Sequence, residues 1–127
     1  MQKNLRASNR QPFLKAFINA LNGAIHFFKT ERNGKIQAVV AILVLLAGFF
    51  LHLSPTEWIL VLLCISSVLI PEMMNSALEH LCNLVHNEYH PLIKHIKDVS
   101  AGAVLVASLI SSVIGLIIFI PKILSLL

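Results

Sequence analysis

Polar and apolar residues are arranged along this chain in long blocks. From Phe13, apolar side chains return at helical intervals through Phe17, Ala20, Leu21, Ala24 and Phe28, while Lys15, Asn19, Asn22 and His26 fall largely elsewhere. Pro12 suits the first turn of a helix, so an amphipathic helix is predicted over 11–29. It is too polar to span a bilayer. It can lie in the membrane interface or, as the alternative, pack as a short soluble helix on the rest of the protein. Residues 1–10 are polar and basic and are expected to fray.

Three apolar runs follow. Ile36 to Leu53 is interrupted only by Gln37 and His52, Trp58 to Met74 carries Glu72 as its one charge, and Val99 to Ile120 carries none. Roughly 20 helical residues cross the ~30 Å hydrocarbon core, so the first two runs are short and the third is ample. Helices containing the spans are predicted over 36–53, 58–85 and 97–120, with turns at Ser54-Pro55 and 86–91. Thr56-Glu57-Trp58 reads as a helix start with Trp58 as an interfacial anchor. Ser66, Ser67 and the small residues of 100–112 suit close helix contacts in lipid. The fold class is all-α integral membrane, one domain over 1–127. Three spans enclose little interior, so self-association is expected.

Composition agrees. The chain has 127 residues, 57% hydrophobic and 13% charged, with mean hydropathy +0.80, outside the range of soluble domains. The first apolar run is too long for a signal h-region and lacks a small-x-small site after it, so no secretory cleavage is expected. Lys3, Arg6, Arg10, Lys15, Lys29, Arg32 and Lys35 precede the first span, and Lys94 and Lys97 lie between the second and third. The 52–57 turn has no cation and Lys122 alone follows the last span, so the N-terminus and the 80–98 connection are expected to be cytoplasmic. The net charge of +4 thus reflects topology and anionic headgroups, and no nucleic-acid partner is expected. Cys64 and Cys82, eighteen residues apart on one helix, are ~27 Å apart and read as core residues.

The candidate chemistry lies where the second run ends. Glu72, Asn75 and Glu79 fall at i, i+3 and i+7, on one helical face. Ionisable groups at membrane depth are costly unless paired, hydrated or bound to a cation, although both Glu residues could also lie in headgroup water. Glu31 is the only acid among the first 56 residues; singly it reads as a solvated partner of Arg32 or Lys35. Glu31, Glu72, Asn75, Glu79, Glu88, Lys97 and Asp98 all fall in the cytoplasmic layer, against only His52 and Glu57 outside. Such oxygen donors suit a hard cation such as Mg²⁺. The histidines form no zinc pattern, and no GxxxxGK[ST] or GxGxxG loop is present. Enzyme, transporter and assembly subunit all remain open on these residues, with the uncharged mid-membrane segments counting against a transporter.

The motif Glu72-x-x-Asn75-Ser76-Ala77-x-Glu79, followed by Asn87-Glu88-Tyr89-His90 and Lys97-Asp98-x-x-Ala101-Gly102-Ala103-Val104-Leu105, resembles the prokaryotic diacylglycerol kinase family. The likeness runs from about Phe13 to Ile120, and Lys29-Thr30-Glu31-Arg32-Asn33 resembles the undecaprenol kinase branch. It implies a homotrimer in the bacterial inner membrane that transfers the γ-phosphoryl group of ATP to a lipid hydroxyl at the cytoplasmic face. By position, Glu72 looks like the general base with Asn75 assisting, and Glu31 and Glu79 like the carboxylates holding Mg²⁺. Glu88, Tyr89, His90, Lys97 and Asp98 resemble nucleotide contacts. Asn83 stands where the family usually has Asp, and Pro71 before the catalytic Glu is unusual. Pro12 and Asn19 occupy positions of nucleotide-contacting Arg and Tyr in the Gram-negative enzymes, so neither role carries over. The expected function is a lipid kinase acting on undecaprenol, with diacylglycerol as the alternative acceptor and a catalytically silent protein of the same fold as the alternative of another class.

Overall fold

A computed structural model of the chain describes residues 12–127. The basic stretch 1–10 and residue 11, where the first helix was expected to begin, lie outside the described residues. Four helices follow in order: α1 (Phe13–Thr30), α2 (Arg32–Phe50), α3 (Pro55–Val85) and α4 (Pro91–Leu124). The last three are long and apolar enough to cross a membrane. The chain is thus an all-α membrane protein with three spanning helices and an amphipathic helix before them.

α1 does not bury its apolar stripe against the chain: Phe13 is 87% exposed, Phe17, Leu21 and Ile25 are exposed too, and Phe27 alone is buried. An apolar face left open beside three spans belongs in the membrane interface, against the soluble-helix alternative. α1 and α2 are separated by one residue. Glu31 takes extended backbone angles, its N–H closing on the Phe27 carbonyl at 2.9 Å and its own carbonyl accepting from Lys35 N–H at 3.1 Å. Gly34 makes this junction possible, because a Cβ there would stand 2.8 Å from the buried Phe27 ring.

The bounds of the spans differ from the sequence expectation at their polar ends. α2 begins at Arg32, four residues before Ile36, and ends at Phe50, three before Leu53, where His52 adopts φ 52° to turn the chain. α3 starts on a capping box: Ser54 Oγ accepts from Glu57 N–H, and the Glu57 carboxylate accepts from Ser54 N–H at 2.7 Å. It then runs through Pro71 as one helix. α4 begins at Pro91, six residues before the expected Lys97, with the His90 imidazole accepting from Leu92 N–H. Pro91 therefore serves as a first-turn residue, the other place a proline fits in a helix.

α3 and α4 pair most extensively, while α2 touches mainly α1 and α3. Ser67 and Ser111 meet at 3.0 Å between α3 and α4, and both hydroxyls reach the Cys64 carbonyl. A small core of Leu53, Val61 and Ile118 sits at the end of the bundle away from Glu72, closed by an ion pair of 3.0 Å between Lys122 and Glu57. Most large apolar side chains of the spans stay exposed, among them Leu43, Phe50, Leu63, Leu109 and Ile117.

Candidate functional site

The antiparallel course of α2 and α3 brings the start of α2 level with the second half of α3. Glu72, the residue after Pro71, points inward and is only 4% exposed. Its carboxylate accepts two side-chain amide hydrogen bonds: Asn33 Nδ2 donates to Oε1 at 2.9 Å and Gln37 Nε2 to Oε2 at 3.2 Å. Glu72 therefore does not lie in headgroup water. An ionisable group at this depth is tolerated because both its oxygens are satisfied by neutral donors.

Asn75 and Ser76, within a turn of Glu72, are buried as well. The side-chain oxygen of Asn75 has no hydrogen-bond partner, and neither does Gln37 Oε1; both are shielded from solvent. Two orphaned acceptors beside a buried carboxylate are uncommon in a folded protein and mark a place where a donor can arrive.

Glu31 reaches across from the α1–α2 junction and meets His80 Nε2 at 2.8 Å. It thus pairs with α3 and not with its neighbours Arg32 or Lys35. That hydrogen bond from His80, helped by the Ser76 hydroxyl and by the fields of His80 and His26, holds the Glu31 carboxyl below the usual carboxylate range, against the opposing effect of partial burial. Glu31 is consequently ionised well into the acid range. A cavity of about 420 Å³ opens here between α1 and α3, with Glu31, His80, Ser76 and His26 at its polar wall. A larger cavity of about 540 Å³ lies between α2, α3 and α4; apart from Gln37 and hydroxyls of α4 its wall is apolar.

The other candidate residues are placed more openly. Glu79 is exposed, one position before His80. Among the described residues no three His, Cys, Asp or Glu side chains are grouped to hold a metal. Glu88, Tyr89 and His90 form the exposed link before α4, with Tyr89 77% exposed and His90 stacked edge-to-face on His86 at 5.6 Å. Lys97 donates to Asn83 Oδ1 at 2.6 Å, and Asp98 is taken by Lys94 one turn earlier. Asn83, which stands where the family usually has Asp, is therefore the anchor of the Lys97 ammonium.

Four residues carry no site role in the sequence reading: Asn33 and Ser76, which stand only inside the motifs of the family resemblance, together with Gln37 and His80. Gln37 carried a signal, as one of only two polar side chains interrupting the first apolar run. A buried Glu on the next span demanded a donor at that depth.

Comparison with known proteins places the chain in a family. Residues 18–119 match the family model "Prokaryotic diacylglycerol kinase". The chain is 43% identical over 110 residues to the undecaprenol kinase of Bacillus subtilis, covering 87% of this chain and 89% of that protein. It is 36% identical over 114 residues to a diacylglycerol kinase of Synechocystis, covering 89% of this chain and 65% of that longer protein. A diacylglycerol kinase of Pseudomonas aeruginosa is 32% identical over 101 residues, 76% of this chain and 82% of the relative. The buried carboxylate between α2 and α3, the three spans and these matches lead to one conclusion: the chain belongs to the prokaryotic diacylglycerol kinase family and is a membrane lipid kinase.

Proposed function

We propose that this kinase transfers the γ-phosphoryl group of ATP, with Mg²⁺, to the hydroxyl of undecaprenol at the cytoplasmic face of a bacterial inner membrane, acting as a homotrimer. The observation that carries the chemistry is Glu72, a nearly buried carboxylate held by two amides, with the ionised Glu31 facing Ser76 one turn further along α3. The choice of acceptor rests on the similarity to the Bacillus subtilis undecaprenol kinase.

Phosphoryl transfer asks a protein for positioning and charge neutralisation more than for covalent chemistry. Glu72 accepts the proton of the lipid hydroxyl as its oxygen bonds to the γ-phosphorus; the bond to the bridging oxygen breaks and ADP leaves. Asn75 assists from the same face. Glu31 and Glu79 supply hard carboxylate oxygens and Glu31 is kept ionised by His80, a donor set that fits Mg²⁺, which commonly takes one or two carboxylates with phosphate oxygens and water. When bound, the ion neutralises charge on the phosphoryl oxygens. Lys97, Asp98 and the Glu88-Tyr89-His90 link would contact the nucleotide from the exposed end of the hairpin between α3 and α4. The lipid tail stays in the bilayer while its hydroxyl reaches the depth of Glu72, so a carboxylate at that level is where the acceptor can be met.

Diacylglycerol is the second reading, favoured by the names of the Synechocystis and Pseudomonas relatives. Radiolabelled ATP offered with both lipids side by side separates the two. Faster labelling of undecaprenol is expected; faster labelling of diacylglycerol would reverse the assignment, and no labelling of either would remove the kinase chemistry.

A further inference from the structure

Both donors to Glu72 come from the first two turns of α2. Asn33 and Gln37 are four residues apart, hence on one face of the helix, and each takes a different carboxylate oxygen. We propose that Asn33 and Gln37 are positioning residues for Glu72: together they fix the plane of the carboxylate so that a remaining lone pair meets the acceptor hydroxyl. This rests on the base role of Glu72 stated above.

The chemistry of the donors fits that task better than simple neutralisation of a buried charge. A carboxylate has about four acceptor positions, and two amide N–H groups occupy half of them, leaving one on each oxygen for an incoming proton. An Arg or Lys in the same place would satisfy the carboxylate too, but an adjacent cation draws the proton affinity down and makes a poorer base. Neutral amides orient it without adding a formal charge. Gln37 makes no competing bond, since its Oε1 is buried without a partner, so the contact with Glu72 is what settles its side chain. The clamp also sets register. Glu31 is the N-cap of the same helix, two residues before Asn33, so the first two turns of α2 and their cap place the carboxylate that meets His80 and the donors that aim Glu72.

The test uses the full chain in lipid nanodiscs with undecaprenol and ATP. Gln37→Leu removes the N–H and leaves a side chain of similar bulk. A base turned out of line loses rate at the chemical step, so kcat is expected to fall about 10²-fold while KM for ATP stays unchanged. Gln37→His returns a ring N–H and is expected to recover most of kcat. A purely structural tie between α2 and α3 would instead lower the thermal midpoint without this split, and the His substitution would not restore turnover. An unchanged kcat in Gln37→Leu overturns the proposal, as does a loss that Gln37→His fails to recover in a protein of normal thermal midpoint. If Gln37→Leu does not assemble, Gln37→His decides by itself: near-normal kcat supports the clamp, and a loss as deep as that of Glu72→Gln overturns it. Turnover by Glu72→Gln would overturn the base reading and this proposal together, whereas an inactive Glu72→Gln beside an unaffected Gln37→Leu overturns this proposal alone.

Discussion

Glu31 shows what a single side chain gains from a partner on another helix. Its carboxyl is held low chiefly by the hydrogen bond from His80. A carboxyl with a depressed folded-state pKa contributes stability above its ordinary pKa and loses it as pH falls through the depressed value. The tie between the α1–α2 junction and α3 is therefore intact at neutral pH and is expected to loosen only in the acid range. Carbon NMR of the labelled Glu31 carboxyl checks this directly: the resonance should titrate below the ordinary carboxylate midpoint, and His80→Ala should move the midpoint up. An identical midpoint in both proteins would show that the contact does not hold the charge.

Among the elements, the tight joint between α1 and α2 is the most constrained. One extended residue separates the two helices, and Phe27 is folded under α2 against Gly34. A methyl at position 34 would meet the Phe27 ring at 2.8 Å and the Phe27 carbonyl oxygen at 3.1 Å, so something must move. Overpacking of this kind costs about 1–3 kcal/mol. Gly34→Ala should lower the thermal midpoint in detergent and, because Asn33 is its neighbour, also reduce turnover. A variant as stable as the parent would mean that the joint is looser than its contacts imply. The capping box at Ser54 is the opposite case: it closes within four consecutive residues, although the sequence alone predicts a turn at Ser54-Pro55 with the helix starting at Thr56-Glu57-Trp58.

The molecule as a whole leaves its largest apolar side chains uncovered. Among the described residues only Phe27, Leu53, Val61, Cys82 and Ile118 are buried apolar groups, while α2, α3 and α4 expose apolar side chains along their length. Lipid can cover such faces, but the exposed small residues of α4 also allow a second helix to approach closely. The proposed trimer predicts a particle of three 14.0 kDa chains in detergent, measured by light scattering with the detergent contribution removed. Full activity from a particle of one chain would exclude the trimer as the working unit.

What the residues alone determined is whatever depends on neighbours in the chain. Long uncharged runs have one low-energy solution in lipid, the helix, so three spans and an amphipathic leader were legible from periodicity. The start of α4 was not, because Pro91 both closes a loop and opens a helix, and the choice fell to the His90 cap. The face carrying Glu72, Asn75 and Glu79 was likewise readable from spacing. Their partners were not: Asn33 and Gln37 stand 39 and 35 residues before Glu72, and His80 stands 49 after Glu31. Only the packing of α2 against α3 decided which buried donor met which carboxylate, since helical periodicity fixes the direction of a side chain on its own helix and not what waits opposite it.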